Sequence, residues 1–240
     1  MDRTPAINLP PVILWLALAF IGVHAARQFV SDSTDEWILF AFAFIPARYG
    51  AIGDLIPGGA AARFWSPVTY AFLHADWVHL LVNLIWMASF GGPLARRFGA
   101  VRFLLLGALS AAVGAALHAV LNAGDEALVI GASGAVSGMM AATARFAFSP
   151  GGPLAGGGTE AYGVRAEPLL SAARNRRVIA FVVVWFITNI AFGLAGPLVA
   201  GVSGPIAWEA HIGGFLAGWL CFPLLDPARD DDRPGETLAS

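Results

Sequence analysis

Six apolar runs, at about 11–30, 76–95, 101–121, 133–148, 178–194 and 206–225, recur along this chain. A helix needs about 20 apolar residues to cross a hydrocarbon core about 30 Å thick. Most of the runs qualify, and the fourth is marginal. With 58% apolar and 12% charged residues, the chain lies far from the roughly 25% charged content of soluble domains. The expectation is an all-α polytopic membrane protein, with a single membrane domain over 11–225 between a tail at 1–10 and a polar tail at 226–240. The first run lacks a basic leader and a clear cleavage site, so it reads as a retained helix rather than a signal peptide.

Arginine placement sets the orientation. All 14 basic residues are arginine. Arg96, Arg97 and Arg102 flank the second connection, and Arg145, Arg165, Arg174, Arg176 and Arg177 flank or fill the fourth. Arg3 precedes the first run, and Arg229 and Arg233 follow the last, whereas the opposite side holds only Arg27, Arg48 and Arg63. By the positive-inside rule both termini are cytoplasmic. The second, fourth and sixth spans then begin at the outer face. A bacterial inner (cell) membrane is the expected location. The net charge of −2 gives no reason to expect nucleic acid, and the lone Cys221 excludes a disulfide framework or a cysteine-based metal site.

Three connections differ in character. Residues 31–74 carry Trp37, Phe40, Phe42, Phe44, Phe64 and Trp65, too apolar for a free loop, and predict short helices associated with the outer membrane interface. Residues 149–175, with two glycine clusters, read as a flexible cytoplasmic linker. The glycine- and proline-rich turn at 193–205 suits a mobile cap.

The fourth run carries the sharpest inference. From Ser133 to Phe148 it spans about 24 Å at 1.5 Å per residue, several ångströms short of the hydrocarbon. Ala127 to Ala132 must then enter the membrane as irregular backbone, which is tolerated only inside protein or along a water-filled cavity. Ser133 is expected at the cavity floor, at a helix N-terminus whose open N–H groups suit a developing oxyanion. Gly131-Ala132-Ser133-Gly134 alone is equally a plain helix cap.

His79 and Asn83, four apart, share one helix face. Such groups are costly in lipid and usually face a bundle interior, although a pair like this can also serve only to join helices. His211 is followed by Gly214 and Gly218, and the fourth run offers Gly134 and Gly138. Small residues at this spacing let helix backbones approach closely, as a hydrogen bond of about 3 Å between Ser133 and His211 requires. Glu209 and Asp76 are not placed to complete a triad. His24 and His118 are expected away from the other three histidines, so neither a metal nor a cofactor is expected.

His79-x-x-x-Asn83, Gly131-x-Ser133-Gly134 and Ala210-His211-x-x-Gly214-x-x-x-Gly218, in that order on the second, fourth and sixth spans, resemble the rhomboid family of intramembrane serine proteases. The likeness runs from about Arg63 to Leu225 and takes in Phe72-Leu73-His74. It implies a six-transmembrane-helix bundle with an outward-facing cavity. In it Ser133 would be the nucleophile, His211 the general base, and His79 and Asn83, with the Ser133 N–H, the oxyanion hole. Two departures stand out. Trp65-Ser66 replaces the Trp-Arg pair often found in the outer loop, and Ser137 stands where some members have an aromatic residue against the histidine. The expected activity is endopeptidase cleavage within or beside transmembrane helices of single-span or polytopic membrane proteins, at sites weakened by glycine or proline. The alternatives are a catalytically silent rhomboid-like binder of membrane helices and a channel or transporter. The oligomeric state is not legible. The fifth span, with Trp185, Phe186 and Phe192, is the expected gate for a substrate entering sideways.

Overall fold

The computed structural model describes residues 9–156, 159–195 and 207–227. These residues are helical, with one antiparallel bridge between Phe44 and Val129. The helices are α1 (Pro11–Arg27), α2 (Asp32–Phe42), α3 (Ala62–Thr69), α4 (Trp77–Trp86), α5 (Gly92–Leu121), α6 (Ser133–Ala147), α7 (Leu169–Ala172), α8 (Arg176–Ala195) and α9 (Trp208–Leu225). A π turn at Met87–Gly91 joins α4 to α5 without interruption. Of the described residues, the Trp77–Leu121 run is long and apolar enough to cross a membrane, while Pro11–Arg27 is apolar but shorter. Gly99 divides the longer run: its φ of 72° and ψ of 169° are not helical, a conformation open to glycine and strained for other residues. Each limb, Trp77 to Phe98 and Ala100 to Leu121, then has about 33 Å of length at 1.5 Å per residue.

Local chemistry fixes where helices begin. Ser31 caps α2 by accepting the Thr34 N–H at 3.3 Å. Asp76 caps α4 by accepting the His79 N–H at 2.8 Å, which fixes the turn that carries His79. In contrast, α6 starts without a side-chain cap, so its first-turn N–H groups stay open.

The centre of the molecule is α6, buried from Gly134 to Ala147 between α5 and α9. A Cβ on Gly214 would overlap the Gly134 carbonyl oxygen, and one on Gly218 would overlap that of Gly138. Gly114 of α5 likewise meets the Ala210 carbonyl of α9. Leucine-sized residues would hold these backbones apart; glycine lets them touch.

Both ends of this core are tied by buried arginines. At the end of α6 remote from Ser133, Arg97 forms two 2.8 Å bonds to Asp226 and donates to the carbonyls of Tyr162 and Val164 at 2.8 and 2.7 Å. Arg145 donates to the carbonyls of Trp219 and Glu167 at 3.0 and 2.9 Å. Residues 159–175 are thus strapped to the helix ends, more firmly than their glycine-rich neighbourhood predicts, because the fastening comes from distant arginines. Between α1 and α4, Arg48 is wholly buried and donates to the carbonyls of Phe40 and Pro57. Arg63 donates to the Arg48 carbonyl at 2.9 Å, and Trp65 Nε1 to that of Ala41 at 2.9 Å. Arg48 and Arg63, rather than a residue following Trp65, supply the guanidinium groups that knit this segment together.

Candidate active site

The irregular stretch before α6 is held by backbone bonds to the segment between α1 and α4. Phe44 and Val129 exchange N–H···O bonds at 3.1 and 2.8 Å, Asp125 accepts the Ala47 N–H at 2.8 Å, and the Gly131 N–H donates to the Tyr70 carbonyl at 3.0 Å. Tyr70 in turn donates its hydroxyl to the Ala111 carbonyl at 3.0 Å. Gly131 has a φ of 116° and lies directly beneath His79, whose Nε2 a Cβ there would strike. Glycine is required twice over at this position, by conformation and by room. The chain then turns into α6 with Ser133 as its first residue.

Ser133 Oγ lies 2.7 Å from His211 Nε2. Both side chains are half-buried. The contact spans the α6–α9 seam, one helical turn from the Gly134–Gly214 approach. On the other ring nitrogen, His211 Nδ1 lies 2.5 Å from Asn189 Oδ1 of α8, and Asn189 Nδ2 donates to the Trp208 carbonyl at 3.2 Å. Glu209, the nearest carboxylate along the chain, is turned away towards His118 and Asn122, at 3.3 and 3.4 Å.

His79 lies near Ser133 across Gly131, where an added Cβ would meet both His79 Nε2 and Ser133 Oγ. Its Nδ1 accepts the Ala75 N–H at 3.4 Å. The ring proton is therefore on Nε2, the atom over Gly131, and is directed as a donor. Asn83 is buried one turn along the same face, its amide donating to the His79 carbonyl at 2.9 Å; an amide nitrogen carries a second hydrogen for another acceptor. His74 is buried next to His79, with ring centroids 5.2 Å apart. Burial pushes its imidazole down to about 3, so His74 stands neutral and adds no positive charge there.

Of the four residues singled out from the sequence, Ser133 and His211 are in contact, His79 Nε2 lies beside them across Gly131, and Asn83 is one turn further along α4, bonded to the His79 carbonyl. One expectation needs correction. Sequence separation suggested that His24 stands apart from the other histidines, but it packs against Trp77 with ring centroids 4.5 Å apart, beside the turn that carries His74 and His79. The segment from α1 to α4 folds back on itself and returns the chain to α1. Asn189 was not singled out at all. It is an amide within an otherwise apolar helix, the same signal that drew attention to Asn83. Among the described residues, no group of three or more histidine, cysteine or acidic side chains could hold a metal ion.

Comparison with known proteins places the chain in a family. A family model described as the Rhomboid domain matches residues 61–226. The chain is 27% identical over 159 residues to the rhomboid protease GlpG of Yersinia pestis, covering 66% of this chain and 47% of the relative. The GlpG of Yersinia pseudotuberculosis serotype I is 28% identical over the same length and shares. RHOMBOID-like protein 7 of Arabidopsis thaliana is 27% identical over 164 residues, 68% of this chain and 43% of the relative. The chain spans about half the length of the curated relatives it matches. All four candidate residues fall inside the matched domain, which covers more than half of the chain, and the chain belongs to the rhomboid family of integral membrane proteins.

Proposed function

We propose that this protein is an intramembrane serine endopeptidase that cuts other membrane proteins within or beside their transmembrane helices. The observation that carries the reading is the 2.7 Å approach of Ser133 Oγ to His211 Nε2 across a seam in which glycine meets glycine. In this mechanism His211 Nε2 takes the hydroxyl proton as Oγ attacks the scissile carbonyl. The oxyanion that forms is met by the Ser133 N–H at the open end of α6, by His79 Nε2–H and by the free amide hydrogen of Asn83. The imidazolium then returns its proton to the leaving amine. Water, deprotonated by the same nitrogen, releases the acyl group from Ser133.

The reading extends to topology. Six spans cross the bilayer: α1, the two limbs either side of Gly99, α6, α8 and α9. Both termini lie in the cytoplasm of a bacterial cell, and the site opens to the outer face. The arginine distribution supports this orientation. The shortness of α6, about 22 Å for its 15 residues, supports a submerged serine.

The test is cleavage of a model transmembrane substrate by the purified chain. Ser133→Ala should remove all turnover while leaving the thermal unfolding transition in place, and Ser137→Ala should keep substantial activity. Turnover that survives in Ser133→Ala and vanishes in Ser137→Ala would assign the nucleophile to the other serine.

A further inference from the structure

We infer that Asn189 is a positioning residue that fixes the tautomer and orientation of His211, so that the base is held from the helix next to its own. The inference rests on the Ser133–His211 reading above.

Asn189 is buried in α8, and both ends of its amide are engaged. The Trp208 carbonyl, 3.2 Å from Nδ2, can only accept, so it must face the NH₂ end. The amide oxygen is thereby turned to His211 Nδ1, at 2.5 Å. An oxygen there can only accept, so the imidazole proton resides on Nδ1. Nε2 is left as a bare acceptor, 2.7 Å from the Ser133 hydroxyl, in the protonation state a general base requires. A chain of three directed contacts thus runs from the backbone of α9 through α8 and back to the nucleophile.

Among the described residues, no other side chain is bonded to His211 Nδ1. Glu209 is held by His118 and Asn122. His79, whose Nε2 lies over Gly131, is assigned to the oxyanion in the proposed mechanism. Ser137 is too short to pack an aromatic surface against the ring. Unlike a carboxylate, the amide orients the ring without neutralising the imidazolium. It fixes the tautomer at little electrostatic gain.

The experiment uses the full chain in detergent. It compares kcat, KM, the rate–pH profile and fluorophosphonate labelling of Ser133 for the wild type, Asn189→Ala and Asn189→Asp, with thermal unfolding of each. The alanine variant should lose roughly 10- to 100-fold in kcat with little change in KM, and labelling should slow in parallel. The aspartate variant keeps the acceptor and adds a charge that stabilises the imidazolium. It should recover much of the lost kcat and move the acid limb of the profile up by about one pH unit or more. If the alanine variant does not fold, the acid limb of the isosteric aspartate variant decides alone. Wild-type kcat in a folded alanine variant, or an unmoved acid limb in a folded aspartate variant, overturns the inference while the dyad stands. A wild-type protein that is not labelled at Ser133 removes the dyad reading itself, and this inference with it.

Discussion

Gly131 bears on the chemistry without taking part in it. Its left-handed φ of 116° and its contact with His79 Nε2 mean that any side chain strains the backbone and pushes an oxyanion donor aside. Gly131→Ala should cut kcat on a model substrate by about 10²-fold, on the scale of one lost oxyanion donor. Asn83→Ala should leave slow but measurable turnover for the same reason, whereas His211→Ala should stop both cleavage and probe labelling. Equal and total loss in folded Asn83→Ala and His211→Ala would contradict that division. The candidate residues stand out in the sequence because lipid makes polar groups conspicuous: Ser133, His79, Asn83 and His211 interrupt apolar runs. Asn189 interrupts one too. Its role is hidden in the sequence because carboxylates and aromatic rings are the more familiar partners of a histidine base, and an amide on another helix carries no spacing signal towards His211. The directed proton on His79 was not legible, since it depends on the Ala75 N–H, a backbone group that carries no sequence signature.

Helix α6 acts as an element through its glycine faces. Gly214→Leu would drive a side chain into the backbone of α6, a misfit costing about 1–3 kcal/mol or more. It should lower the unfolding temperature in detergent and abolish labelling of Ser133. Gly22→Ala, in exposed α1 with nothing near the added methyl, should leave both unchanged or slightly raise stability. Equal behaviour of the two variants would show that the seam is not tight. A close approach of the two glycine faces was readable from spacing, because four-residue repeats fall on one helix face; that Gly134 meets Gly214 and Gly138 meets Gly218 is seen only in the fold. The proposed gate was only partly readable. Trp185 stacks on Phe215 of α9 with centroids 4.3 Å apart, as a plug would. Phe186 is 43% exposed and points away from that seam, since the next residue on a helix is turned by about 100°. The side chain of Phe192 and residues 196–206 lie outside the described residues. Trp185→Ala should therefore speed cleavage of a membrane-embedded substrate more than that of a soluble peptide, and Phe186→Ala should change neither.

At the scale of the whole molecule, the end of the core remote from Ser133 depends on buried charge. Arg97 and Asp226 are both nearly inaccessible. Removing one partner leaves an uncompensated charge, which costs about 3–5 kcal/mol. Arg97→Ala should lower the unfolding temperature more than the double variant Arg97→Ala/Asp226→Ala, and denaturation in detergent measures the difference. The apolar runs and their order were written in composition. The strap at 159–175 was not, because its fastening is made by Arg97 and Arg145 from distant helices. In the proposed mechanism the reacting atom is Ser133 Oγ, which a histidine reaches only in the folded bundle, at 2.7 Å. Incubating the intact protein with a fluorophosphonate probe and mapping the modified peptide tests this most directly. The account predicts a single label on Ser133, absent from His211→Ala. A label on Ser137 or elsewhere, or a folded wild-type protein that takes no label, would contradict it.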